Sequence, residues 1–239
     1  MQGLTEVNYD DFFRQLYEGI SLEDVKRISN DERKQFGYSS STLSYGEIEI
    51  NEMRKIFDHL ELNGFLCDHN SKFVDIGSGI GKPLFAAALL YNFSCCKGIE
   101  ILSTLNEIST NKILRNWTKM LTKLRARKKL QVDIELVCGD ALYLDWSDGT
   151  VIFIHATAFD PPMMEILTRA LNKLVPYSFV IVLSRTISSP LLDHIESIDL
   201  ITSWGETQAH IYRRSNEEYV PAGAKTTDTE FLMSFGIVK

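Results

Sequence analysis

The sequence predicts an α/β protein built on a doubly wound, mostly parallel sheet. Three observations carry that expectation. From residue 73 onward short apolar runs alternate with longer helical segments. The candidate strands Phe73–Gly77, Cys95–Glu100, Asp133–Cys138, Thr150–His155 and Ser178–Ser184 are almost wholly apolar, as strands covered on both faces must be. A glycine-rich turn, "KFVDIGSGIGKP" at residues 72–83, closes the first strand and opens a helix. Right-handed crossovers then place helices on both faces and ligands at the carboxyl ends of the strands.

The remaining elements follow in order. Residues 1–70 read as helical, with Phe12, Phe13, Leu16, Tyr17 and Ile20, then Met53, Ile56, Phe57 and Leu60, recurring at helical spacing. Between these helices "FGYSSSTLSYGEIEI" breaks the period with Gly37 and a serine run and reads as loop. Helices are expected over Pro83–Tyr91, Leu102–Arg127 and Pro162–Leu174, the second with a buried stripe of Ile113, Trp117, Met120, Leu121 and Leu124. After residue 195 the alternation ends. "SIDLITSWGETQAHIYRR" reads as two strands around Trp204–Gly205, an antiparallel hairpin at the sheet edge that brings the strand count to seven. The expected organisation is a helical cap and lid loop over 1–70, a catalytic domain over 71–215, and a tail over 216–239 with no clear period.

Bulk properties narrow the function. A net charge of -7 argues against a general nucleic-acid coat. No apolar run approaches the ~18 residues of a membrane-spanning helix, and "MQGLTEVNYDDFF" has no signal pattern. Cys67, Cys95, Cys96 and Cys138 lack metal-ligand spacing. They are expected reduced in the core of an intracellular protein, cytoplasmic or nuclear, with no metal.

The glycine turn selects among nucleotide ligands. A triphosphate loop needs a glycine where Ile76 stands and a Ser or Thr where Pro83 stands. The dinucleotide fingerprint spaces its glycines differently from Gly77-x-Gly79-x-Gly81. Asp75, two residues before the first glycine, would repel a pyrophosphate and pair with an ammonium. S-adenosylmethionine meets that demand, being cationic and free of phosphate. Gly77, Ser78, Gly79 and Gly81 would let the backbone approach it closely. Glu100, closing the second strand, would accept hydrogen bonds from both ribose hydroxyls, and Asp140, after the third, would read the adenine amine beside an Ala141 backbone donor. Taken singly, Asp140 also reads as a turn or cap residue and Glu100 as a helix-start charge.

On these residues the chain resembles the class I S-adenosylmethionine-dependent methyltransferases over about residues 72–215. More narrowly it is similar to the non-SET histone-lysine methyltransferases named for disruption of telomeric silencing. "FVDIGSGIG" resembles that family's cofactor loop, and "SYGE" at 44–47 its segment that closes over donor and substrate channel. "FIHATAFD" at 153–160 resembles its channel-lining segment after the fourth strand, with His155 and Ala156 where the family is rich in Asn. The resemblance implies Tyr45 and Phe159 at the reacting end, with Tyr45 and Glu47 also touching the cofactor; His155 joins them by its place at the end of the fourth strand. It implies a protein lysine as acceptor, with the histone target left open. A nucleic-acid base, a small metabolite, or an inactive donor-binding module are the alternatives.

Several residues admit a plainer reading. Ser44-x-x-Glu47 is a capping-box pattern, and Tyr45 either touches the methionine carboxylate or packs the lid. His155 ends the fourth strand, where it would orient the acceptor or take its proton with an ordinary pKa of about 6.5. "DPPM" at 160–163 resembles the tetrapeptide of base methyltransferases, but Asp160 as N-cap before Pro161 and Pro162 suffices. The basic run Lys112–Lys129 reads as a solvated helix face or as a dock for an acidic partner or RNA.

Overall fold

The computed structural model describes residues 8–37, 45–68, 70–125, 132–157 and 159–218. Three helices lead, α1 (Tyr9–Leu16), α2 (Leu22–Gln35) and α3 (Ile50–Leu62). Then β1 (Lys72–Ile76), α4 (Lys82–Leu90), β2 (Cys95–Glu100), α5 (Ser103–Ile108), α6 (Leu114–Arg125) and β3 (Asp133–Cys138) build one half of the sheet. The other half is β4 (Val151–Ile154), α7 (Pro161–Leu171), β5 (Phe179–Leu183), β6 (Leu192–Thr202) and β7 (Gly205–Arg214). Strand order is β3-β2-β1-β4-β5-β7-β6, parallel through β5, with β7 and β6 antiparallel. This is the expected doubly wound sheet with its terminal hairpin. The chain winds outward from β1 to β3, then returns to β4 beside β1. That reversal opens a crevice at the carboxyl ends of β1 and β4.

Local chemistry accounts for the helix starts. Asn8 caps α1 by accepting from the amides of Asp10 and Asp11, and Ser21 caps α2 through Asp24. Asp160 caps α7 by accepting from the Met163 amide at 2.9 Å, with Pro161 and Pro162 in its first turn. The "DPPM" tetrapeptide is thus a helix start. Ser44 lies outside the described residues, but the capping-box reading is corrected, because residues 45–49 are not helical and α3 begins at Ile50 with Glu49 at its N-cap.

The second expected helix is not continuous. A π-helical turn, Ser109–Ile113, separates α5 from α6. Its Ser109 is fully buried and faces Gly81, where an added Cβ would meet Ser109 Oγ at 3.1 Å. The irregularity therefore sits against the glycine turn, the common setting of such bulges. Ile113, Trp117 and Leu121 are buried as expected, while Leu124 and the basic side chains from Lys123 to Lys129 lie outside the described residues. Lys112, Arg115 and Lys119 are exposed. The tail from residue 219 also lies outside. Of the cysteines only Cys96 is buried and Cys138 is exposed; β3 is the sheet's edge strand, and its half-covered faces leave Cys138 outward.

Helices α1, α3 and α4 share one apolar core on one face of the sheet, and α7 covers the other. Phe57 of α3 is fully buried among rings, with centroids 4.1 Å from Tyr91, 5.7 Å from Phe93, 6.0 Å from Phe73 and 6.3 Å from Phe65. Truncation there removes the joint between the leading helices and the sheet. Phe57→Ala is expected to cost about 3–5 kcal/mol in urea unfolding, with both halves of the chain unfolding in one transition.

Candidate active site

A cavity of about 300 Å³ occupies the crevice at the strand ends. Tyr45, Glu47, Asp75, Gly77, Ser78, Gly79, Glu100, Asp140, Ala141, His155 and Phe159, all expected from the sequence, line it. Gly81 does not. It stands behind the wall as the N-cap of α4 at φ 88°, packed on Phe85 and Ser109.

The donor end is built around two acids. Glu100, 6% exposed, accepts from the Gly79 amide at 2.7 Å and the Leu102 amide at 2.8 Å. It thereby ties the β1–α4 turn to the β2–α5 turn. Asp75, 1% exposed, has no hydrogen-bond partner on either oxygen. Burial pushes its pKa well up, the Glu100 charge adds to that, and the Leu84 amide opposes them weakly. Burial also raises Glu100, against its amide donors. A carboxylate held this way, with the Leu84 amide as its one weak donor, demands either a proton or a cation. Asp140 accepts from the Leu142 amide at 2.9 Å, so its turn role is real, and Trp146 Nε1 donates to Ala141 O at 2.8 Å to brace the same loop.

The segment Tyr45–Ile48 crosses the cavity as a strap. Its Glu47 amide donates to Ser203 Oγ at 2.9 Å, and Ile48 bridges Thr202 at the end of β6. The Tyr45 ring lies on Gly79, where an added Cβ would meet it at 2.6 Å; Gly79 also holds φ 55°. Gly46 lies under Trp204, whose ring any side chain there would strike. The Tyr45 hydroxyl donates to Glu47 Oε1 at 2.9 Å, and Glu47 Oε2 pairs with Lys82 Nζ at 2.7 Å.

The far end of the cavity carries no formal charge. Phe153, Phe159, Met163, Leu183 and Trp204 line it together with His155. His155 stacks on Trp204 with centroids 4.3 Å apart, and its Nε2 and Trp204 Nε1 are buried without partners. Burial pushes the His155 pKa down to about 4. The expectation of an imidazole titrating near 6.5 is overturned by this desolvation. Trp204 and Lys82 line the cavity and were not singled out from the sequence for this role. The placing of a Trp at a two-residue hairpin tip, where a polar turn is usual, was the available signal.

Two measurements test these electrostatics. A carboxyl whose folded pKa is raised stabilises the fold below its unfolded pKa and loses that contribution as pH climbs to the folded value. Stability of the ligand-free protein should therefore fall above about pH 4, by up to about 1.4 kcal/mol per pH unit for Asp75. Asp75→Asn should remove that fall and raise the melting temperature at pH 7.5; an unchanged or lower value would contradict it. Titration of the His155 ring by NMR should place its midpoint near 4, with the ring neutral throughout pH 6–8.

Comparison with known proteins places this geometry. The family model described as "Histone methylation protein DOT1" matches residues 26–216. The histone-lysine N-methyltransferase, H3 lysine-79 specific, of Candida albicans is 26% identical over 88% of this chain. The chain spans only 17% of that relative's length. Among solved structures, an RNA methyltransferase of Salinibacter ruber in complex with S-adenosyl-L-homocysteine matches with a TM-score of 0.47 at 20% identity. That match covers 74% of this chain and 95% of the other. A tRNA methyltransferase of B. subtilis matches with a TM-score of 0.47 at 14% identity, covering 69% and 66%. With one family model running from α2 through the last strand of the sheet, the chain belongs to the histone methylation protein DOT1 family.

Proposed function

We propose that this chain is the catalytic part of an S-adenosylmethionine-dependent methyltransferase whose acceptor is the side-chain nitrogen of a protein lysine. The orphaned Asp75 carboxylate carries the donor assignment. It is fully buried, unpartnered and set beneath the glycine turn, the arrangement an α-ammonium group would complete. Glu100 and Asp140 stand at the next two strand ends for the ribose hydroxyls and the adenine amine, with Ala141 beside them. The backbone of Gly77, Ser78 and Gly79 borders the same space. In this reading residues 71–215 form the donor-binding domain and 1–70 its cap.

When bound, the donor supplies a methyl group on a cationic sulfur, open to in-line displacement by a nucleophile. The chain's own task is to present that nucleophile neutral, aligned and dry. A lysine ammonium has a pKa of about 10.4 in water, and the walls of Phe153, Phe159, Met163, Leu183 and Trp204 lower it by desolvation. With a pKa of about 4, His155 is too weak a base to keep the released proton at neutral pH. Its unpartnered Nε2 instead accepts an N–H of the neutral amine and turns the lone pair toward the methyl carbon. The proton leaves to water at the mouth of the channel.

A lysine of histone H3 is the target in the name of the Candida albicans relative, and the same target would put this chain in the nucleus. The exposed Lys112, Arg115 and Lys119 offer a basic face to an acidic partner or RNA. A labelled methyl donor incubated with cell extract tests the reading. Label should enter protease-sensitive, nuclease-resistant material, appear as methyllysine after hydrolysis, and vanish with Asp75→Ala. The initial rate should climb with pH above 7 as the acceptor amine loses its proton. Label removed by nuclease would replace the lysine assignment with a nucleic-acid base.

A further inference from the structure

Helix α5 starts without a cap of its own. Its N-cap residue is Leu102, whose side chain accepts nothing, and the first amides of a helix have no partner within it. The helix runs six residues before the π-helical turn, too short to fix its own start. A carboxylate 71 residues before Ser103 supplies what is missing. Glu32, in the last turn of α2 and 6% exposed, accepts from the Ser103 amide and the Ser103 hydroxyl at 2.7 Å each. Its other oxygen accepts from the Thr104 amide at 3.0 Å. Burial opposes the charge, but these donors outweigh it and hold the Glu32 pKa below the usual carboxylate range.

The next amide toward the sheet is that of Leu102, and it donates to Glu100 Oε1 at 2.8 Å. Two acids from different elements thus divide the opening of α5, Glu32 taking Ser103 and Thr104 and Glu100 taking Leu102. The Gly79 amide holds the second oxygen of Glu100. An ionised carboxylate offers about four lone pairs, so roughly one on each Glu100 oxygen remains for a pair of hydroxyls. The direction of those lone pairs depends on where the Leu102 amide is held, and Ser103, the next residue, is gripped by Glu32. We infer that Glu32 is a positioning residue for the donor's ribose: by holding the first turn of α5 it keeps the Leu102 amide on Glu100 and aims the free lone pairs of Glu100 into the cavity. Glu32 is not among the described residues that line the cavity, whereas Glu100 and Leu102 are. The inference rests on the donor reading above. It gives α2 a part in donor affinity in addition to its place in the cap.

S-adenosylhomocysteine and its 2′,3′-dideoxy analogue differ only in the ribose hydroxyls, and calorimetry on the purified full chain reads their ratio. Wild type should bind the intact ligand about 10- to 100-fold more tightly, the span of one or two hydrogen bonds to a charged group. Glu32→Ala should cut that preference to about threefold or less by weakening the intact ligand, with the dideoxy analogue held within about twofold of wild type. Glu32→Gln keeps an oxygen for the Ser103 amide but sets an NH2 group against Thr104, so its preference should fall between the two. If Glu32→Ala does not fold, the ratio in Glu32→Gln decides. Equal weakening of both ligands, or no change in either, would show that Glu32 only braces the fold, and the inference would fall. A wild type that binds both ligands equally would remove the ribose from Glu100 and overturn it as well. Wild type binding neither would instead sink the donor reading itself.

Discussion

Two hydrogen bonds from Glu100 set the geometry of the site. By accepting from the Gly79 and Leu102 amides, one buried carboxylate fixes two turns that leave neighbouring strands. The glycine turn cannot then relax toward Asp75 and supply it with donors. Asp75 is left fully buried, unpartnered and beside a second acid. Such an arrangement lowers stability and persists only where the surrounding structure over-determines it. Here the apolar packing of β1 between β2 and β4 does so. In the proposed reading the cost in the free protein becomes affinity for a cation, since a partner that neutralised Asp75 would recover what folding gave up.

The strap converts that local arrangement into one connected site. Tyr45 rests on the glycine turn, Gly46 on Trp204, and Glu47 between Lys82 and Ser203. Its only sheet-like contact is the bridge from Ile48 to Thr202, so it is held chiefly by side chains from both ends of the cavity. A shift at the Lys82 end therefore moves Gly46 and with it the Trp204–His155 stack. In the proposed reading the donor's arrival firms the wall against which the acceptor packs.

What could be read from the sequence follows a physical line. Strand ends were legible because buried parallel strands are apolar runs, and an acid closing such a run is conspicuous. Asp75, Glu100 and Asp140 were found in that way, and all three border the cavity. The limits expected for Cys95–Glu100 and Asp133–Cys138 agree to the residue, whereas those of β1, β4 and β5 differ by one, as at Lys72–Ile76 and Val151–Ile154. Features made by contacts distant in sequence were hidden. Lys82 looked like a failed phosphate-loop lysine because its partners, Glu47 on the strap and Glu49 at the N-cap of α3, are distant in sequence. Trp204 looked like a hairpin tip because the groups it covers, Gly46 and His155, come from two other segments. The lowered pKa of His155 depends on burial, which has no local signature. The π-helical turn was equally invisible, since Ser109–Ile113 keeps the helical spacing of its apolar residues and departs only in its hydrogen bonds.

The two ends of the cavity differ in charge, and the difference bears on what the acceptor can be. Four acids and one lysine crowd the donor end, whereas the acceptor end holds aromatic and aliphatic groups and a neutral imidazole. A cation is stabilised at the first and penalised at the second. In the proposed reading this uncharged end would discriminate by protonation state as much as by shape: an amine would enter it at the expense of its proton, while a guanidinium, which keeps its charge in proteins, would be excluded. Two ring nitrogens on residues of this end, His155 Nε2 and Trp204 Nε1, are buried without partners. They differ in kind, because the indole only donates whereas a neutral imidazole nitrogen without hydrogen accepts. In the proposed reading, an acceptor that satisfied both would present an N–H to His155 and an oxygen to Trp204.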